Sequence, residues 1–251
     1  MNLGELQEGL LLGRRQRFFA DVRLGDNEVV AHCANTGSMR SLLLPGTRAL
    51  ISRAANPARK LAWDLQLLRL PGVPKDGPGV PGGGTGTLAC VNTQLPNRIV
   101  AEALAQGLIP GIPVGAQVKP EAVAGPGTRL DFRVEVPGQG ACWIEVKNVT
   151  LVEPDLPGVA RFPDAVSERG LKHLRTLVAL RAAGDRAVIL YLVNRTDATS
   201  FAPAAHLDPA YARGLADALS AGVEALVCFT EILQIDGAWH VRVARVERHI
   251  P

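Results

Sequence analysis

Asp131, Glu145 and Lys147 are the residues whose types and spacing can do chemistry together. Thr128-Arg129-Leu130-Asp131-Phe132 precedes a polar turn, and Trp143-Ile144-Glu145-Val146-Lys147 follows it. Strand side chains alternate faces, so Glu145 and Lys147 share one face while Ile144 and Val146 take the other. An Asp on the facing arm can then meet the Glu around one small cation. Magnesium, or manganese in its place, takes oxygen ligands in octahedral geometry, and magnesium usually keeps several waters, so few protein ligands suffice. Asp131 and Glu145 would supply carboxylates, Val146 its carbonyl, and Glu102 a further contact, direct or through water. Lys147 would orient or help deprotonate an attacking water, or stabilise charge developing on a phosphorane. The chemistry this implies is phosphodiester hydrolysis by a metal-activated water. On spacing alone an E-x-K triplet is more often a solvated strand edge, so the surrounding elements decide its weight.

Those elements are legible. Residues 129–136 and 141–147 carry strand-forming Leu, Phe, Val, Trp and Ile around Pro137-Gly138-Gln139-Gly140, which predicts a β-hairpin. A helix is expected over 98–107, with Asn97 as its N-cap, Gly107 as its stop and Glu102 near its apolar stripe. After a strand near 115–123 and the hairpin comes a longer helix to Ala183, starting at Asp164 or Ser167. Asp164 reads either as its cap, the preferred reading, or as a carboxylate supporting the site. Arg169, Lys172 and His173 crowd its polar faces, either as phosphate contacts, with His173 also a possible proton shuttle, or as a solvated surface. Ala187–Val193 is a continuous apolar strand, 209–221 a helix, and 223–229 another strand. The sum is a three-layer α/β unit with a mixed sheet, in the order of parts of the PD-(D/E)XK nuclease fold.

The first part of the chain reads differently. Short strands at 10–13, 18–24, 28–33 and 47–51, and a fifth segment at 61–70 where a helix is an alternative, suggest a small closed barrel of the OB type. The boundary falls near Ala89, giving an OB-like nucleic-acid-binding domain over 1–88 and the nuclease-like domain over 89–251. Residues 71–86 hold seven Gly and four Pro, a density that supports neither helix nor sheet interior. Arg14, Arg15, Arg17 and Phe18 combine cations with an aromatic ring, the mixture used for single-strand contacts, although buried Phe in a barrel core is common.

The net charge of +3 is too small to establish a nucleic-acid partner, but 1–90 carry 11 Lys and Arg against 7 acids, so the excess sits in the barrel. With 47% apolar and 20% charged residues, disorder is not expected. No apolar run is long enough for a membrane span and the opening residues lack a signal pattern, so a cytoplasmic protein without membrane association is expected. The four cysteines have no paired spacing and are expected as buried free thiols.

Seven segments stand in order along the chain: Arg14–Val22 (R-R-Q-R-F-F-A-D-V), Ala31–Met39 (A-H-C-A-N-T-G-S-M), Asn56–Lys60, Val91–Asn97 (V-N-T-Q-L-P-N), Arg129–Phe132, Glu145–Leu151 (E-V-K-N-V-T-L) and Phe162–Leu174. In these segments the chain resembles the sugar fermentation stimulation protein A (SfsA) family. It departs at Ala34, where Pro is expected, and at 71–86, which looks like an insertion. The resemblance implies an OB-like domain, a PD-(D/E)XK-like domain, DNA binding and a role in regulating sugar utilisation. A magnesium-dependent nuclease therefore stands first, beside a non-catalytic DNA-binding regulator of sugar-utilisation genes. An oligosaccharide-binding barrel is weaker, because aromatic residues make up only 4% of the chain.

Overall fold

The computed structural model describes residues 1–71, 86–138 and 140–249. Most of the Gly/Pro-rich stretch, residues 72–85, lies outside the described residues. Strand β1 (Asn2–Gly4) is followed by β2 (Gln7–Arg15), β3 (Phe19–Leu24), β4 (Asn27–His32), β5 (Arg48–Arg53) and β6 (Trp63–Arg69). The antiparallel order β4-β3-β2-β5-β6 closes through a parallel β4–β6 pairing, with β7 (Leu88–Cys90) added beyond β6. This is the expected five-stranded closed barrel, and 61–70 resolves to strand. Its interior holds Ala20, Val22, Ala31, Ala49 and Ile51 by alternation, and Leu65 and Leu68, which the β5–β6 irregularity brings opposite Ile51 and Ala49.

The second unit contains α1 (Pro96–Ala105), β8 (Gln117–Gly125), β9 (Thr128–Val136), β10 (Gly140–Val149), β11 (Leu151–Val152), β12 (Val159–Phe162), α2 (Glu168–Ala182), β13 (Arg186–Val193), β14 (Ser200–Pro203), α3 (Pro209–Ser220), β15 (Glu224–Ile235) and β16 (Ala238–Arg248). Its mixed seven-stranded sheet runs β1-β16-β15-β13-β10-β9-β8, and β11-β12-β14 form a small second sheet. The first strand of the chain thus belongs to this sheet and not to the barrel. The sequence reading leaves out β16, although Trp239, Val241 and Val243 alternate with His240 and Arg242 as a half-buried strand should.

β13 is the centre of the sheet, parallel to β10 and β15. Val188, Leu190 and Leu192 enter one core with Ile144, Val146, Ile99 and Leu104. Ala187, Ile189, Tyr191 and Val193 enter the other with Leu174, Leu177, Tyr211 and Leu215. The strand's unbroken apolar run follows from this burial on both faces. The first core also contains Leu50 and Leu67 from the barrel, whose own interior is a separate cluster, so barrel and sheet meet through apolar packing.

Polar links reinforce that junction. Arg195, 4% exposed, makes a bidentate pair with Asp197 at 2.6 and 2.7 Å and also donates to the Thr150 carbonyl at 2.6 Å and to Ser41 Oγ at 3.2 Å. Satisfying a buried guanidinium this fully is the condition for burying it. Asp164 accepts from the Ser38 amide and hydroxyl at 3.1 and 2.9 Å. It is not the cap of α2; Ser167 is, accepting from the Gly170 amide at 3.1 Å. All four cysteines are free and buried, and among the described residues no helix is long and apolar enough to cross a membrane.

Gly9 on β2 shows how tightly the barrel closes. A Cβ there would lie 2.5 Å from the Arg23 carbonyl oxygen, a backbone atom that cannot step aside cheaply. Gly9→Ala is expected to cost about 1–3 kcal/mol by overpacking, read as a lower urea midpoint with unchanged slope.

Candidate functional site

The antiparallel pairing of β9 with β10 ends at Phe132 and Ile144. Beyond that pair the next ladder acceptor is missing, and the Asp131 carboxylate takes its place: Oδ2 accepts the Val146 amide at 2.7 Å. An N–H and C=O of one strand residue point to the same side, so the Val146 carbonyl faces the same fork. Asp131 Oδ1 accepts from Asn97 Nδ2 at 2.7 Å. Asn97 was expected to cap α1, but Pro96 is the first helical residue and Leu95 the cap position, without a side-chain bond. Proline favours the first helical position, and that signal in Leu95-Pro96-Asn97 would have released Asn97 for another role.

Glu145 and Lys147 share a face of β10 as expected, and Glu145 is 4% exposed. Lys147 Nζ donates to Glu145 Oε1 at 2.7 Å and lies 3.4 Å from His173 Nδ1. His173, 5% exposed on α2, makes a short hydrogen bond from Nδ1 to the same Oε1. Arg169 Nε approaches His173 Nε2 at 3.5 Å, and since a guanidinium only donates, this geometry assigns the ring proton to Nδ1. His173 is therefore a buried support for Glu145, whereas the sequence reading placed it among phosphate contacts.

The two carboxyls are driven apart electrostatically. Burial pushes Asp131 above the ordinary carboxylate range, with the charge of Glu145 adding to it against the Val146 amide, Asn97 and Lys147. For Glu145 burial acts upward too, but the His173 hydrogen bond and Lys147 outweigh it and hold the group below its usual value. Both hydrogen bonds that Glu145 accepts fall on Oε1. Among the described residues no group of three or more His, Cys, Asp or Glu is arranged to hold a metal ion. The donor set is two carboxylates and a strand carbonyl, the chemistry of a hard cation that keeps its waters, and it fits magnesium or manganese.

Glu102 does not join this cluster. The buried face of α1 is Ile99, Val100, Ala103 and Leu104, and only its first turn reaches Asp131. Glu102 lies further along the helix, exposed, and pairs with the Met1 amino group, which also donates to the Val241 carbonyl. Glu102 is therefore not placed as the metal ligand expected from the sequence. In the barrel, Arg14 is a structural residue, donating to the carbonyls of Arg17, Asn35 and Gly37 and so holding the 35–37 segment. Arg15 pairs with Asp21, while Arg17 and Phe18 are exposed at the β2–β3 turn. Arg169 and Lys172 are exposed beside the site.

Above the absent β9–β10 pairing a groove of about 640 Å³ runs between the β8–β9 turn and α2, lined by Arg129, Arg169, Lys172 and His173 among others. Arg129 has no binding role in the sequence reading, where it stands in a strand and in one of the segments of the family resemblance.

Known proteins resemble the chain along nearly its full length. Residues 12–74 match the model described as the SfsA N-terminal OB domain, and residues 94–234 that of the sugar fermentation stimulation protein RE domain. A sugar fermentation stimulation protein homolog of Geobacter sulfurreducens is 45% identical over 222 residues, 88% of each chain. One from Chromohalobacter salexigens is 46% identical over 90% of this chain and 85% of its own. The solved structure described as Pyrococcus furiosus SfsA in complex with Ca2+ aligns over 97% of this chain and 96% of its own, with a TM-score of 0.77 and 26% identity.

The charge at Asp131 is a cost to the metal-free fold. Asp131→Asn keeps an oxygen for the Val146 amide, its new amide nitrogen can donate to Asn97 once that side chain turns its oxygen inward, and repulsion with Glu145 is removed, so metal-free thermal stability should match or exceed that of the native chain. Magnesium should raise the melting temperature of the native protein and not of the variant, by the mass action of a ligand that binds only the folded state. A clear loss of stability in Asp131→Asn without metal would show that Asp131 is held for structure alone.

Proposed function

The chain belongs to the sugar fermentation stimulation protein family, and from that premise we propose that it is a DNA-binding protein that hydrolyses phosphodiester bonds with a bound magnesium or manganese ion. One observation carries the reading: the fork between β9 and β10 gathers Asp131, Glu145, Lys147 and the side of Val146 that bears its carbonyl. Ionisable groups drawn out of water cost stability, and three convergent ones, Glu145 buried and Asp131 and Lys147 half-buried, are hard to account for in a protein that only binds. In this reading they are the two acids and the lysine of a PD-(D/E)XK nuclease centre. That a relative's structure is described as a complex with Ca2+ fits a site built for hard divalent cations, though the description does not say where the ion lies.

Asp131, Glu145 and the Val146 carbonyl would hold the metal. When bound, it would lower the pKa of a coordinated water and polarise the phosphate. Asn97 and the Val146 amide fix both oxygens of Asp131, so its carboxylate is oriented before substrate arrives. His173 fixes Oε1 of Glu145. Lys147, with its side chain 10% exposed, places an ammonium against the carboxylates, where it can hold an attacking water by hydrogen bond and balance negative charge as the phosphorane forms. The barrel, with Arg17 and Phe18 exposed, offers a further nucleic-acid contact.

Purified protein incubated with single- and double-stranded DNA should cleave with magnesium or manganese and not with chelator. Glu145→Ala and Lys147→Ala should each lower the rate by about 10² or more while DNA binding persists. Absence of metal-dependent cleavage on every substrate, with binding intact, would leave the regulator without turnover. His173→Gln should fall between native and Glu145→Ala in rate, with KM little changed, because its role is to orient Glu145; a KM effect without a rate effect would mark it as a substrate contact.

A further inference from the structure

We propose that the groove between the β8–β9 turn and α2 is the channel for the phosphodiester backbone of one nucleic-acid strand, with Arg129, Arg169 and Lys172 as its phosphate contacts. The assignment rests on the nuclease reading for its direction, since the groove ends on His173, which touches Glu145. Its chemistry stands on the groove itself.

Positive charge outweighs negative there, with Arg129, Arg169 and Lys172 against Glu121. Several arginines elsewhere are committed to carboxylates, as Arg15 to Asp21, Arg161 to Glu153, Arg186 to Glu224 and Arg195 to Asp197, while others, such as Arg14, bond carbonyls. No ion pair among the described residues engages Arg129, Arg169 or Lys172, and all three are exposed. Arg169 meets a histidine nitrogen, and Lys172 Nζ donates to the Gly127 carbonyl at 3.2 Å. Glu121 is the one acidic residue lining the groove. An excess of cations along one groove is the electrostatic footprint of a polyanion.

Width selects one strand. The Lys172–Gly127 bond joins the two walls, so at that level a single lysine side chain spans the gap. A duplex cannot enter such a space, while one backbone can, with its phosphates displacing the Gly127 carbonyl from the ammonium. The outer wall stands free to serve this purpose. β8 is the sheet's edge strand, and of its residues 117–123 only Ala122 is buried. Lys119 and Pro120 on that strand discourage pairing with another sheet, which leaves the wall open.

The test is binding of a short labelled single strand and of a blunt duplex, by anisotropy in chelator, across a salt series. The native protein should hold the single strand more tightly. Arg129→Gln and Lys172→Gln should each weaken it several-fold and reduce the slope of log K against log salt by about 0.7, the single-strand value for one neutralised phosphate. Lys172→Arg should restore most of the affinity, and Arg213→Gln, on α3, should behave as native. Unchanged slopes in both groove variants would overturn the channel, and a blunt duplex bound as tightly and weakened equally would overturn the single-strand assignment. Chelator removes cleavage from the measurement, so a protein that binds as stated but cuts nothing with metal would refute the nuclease reading and leave the channel standing.

Discussion

The Asp131 carboxylate accepting the Val146 amide is the interaction on which the site depends. A sheet that kept its ladder beyond Phe132 and Ile144 would present the Val146 amide to a strand carbonyl, and the fork would close. Because a side chain provides the acceptor, β9 can part from β10 while no buried amide is left unpaired. The parting opens the space in which the proposed cation and phosphate would sit. One hydrogen bond thus meets a structural need and positions a charged oxygen, so the fold and the chemistry share one atom.

Around that bond the structure divides labour between two helices. α1 gives its first turn to the site through Asn97 and its buried face to the core shared with the barrel. α2 gives His173 to Glu145, and Leu174 and Leu177 to the opposite core. Each carboxylate is therefore held from a different layer of the molecule. The sheet between them, centred on β13, sets their spacing.

The parts of this design that follow local rules were readable in the sequence. Alternation along 128–149 gave the hairpin and the common face of Glu145 and Lys147, and the continuous run at 187–193 gave the buried central strand. What escaped depended on the angular setting of helices. Glu102 looked close to an apolar stripe, but the helix turns it outward to Met1. His173 looked like one more cation on a polar face, yet the packing of α2 on the sheet buries it against Glu145. Asp164 and Asn97 were both read as caps, because capping is a local role; both instead reach across long sequence separations, to Ser38 and to Asp131. Such contacts are set by tertiary packing, which single-segment periodicity does not contain.

The apolar junction of barrel and sheet has a consequence for reach. Leu50 and Leu67 pack in the same apolar core as Ile144 and Val188, and Arg195 and Asp164 clamp the loop between them. Among the described residues that junction is packed and hydrogen-bonded, so under the proposed function the barrel would work as a caliper jaw: a strand resting on its surface would meet the carboxylates at a set offset, and the length between grip and cut would be a property of the fold rather than of the substrate.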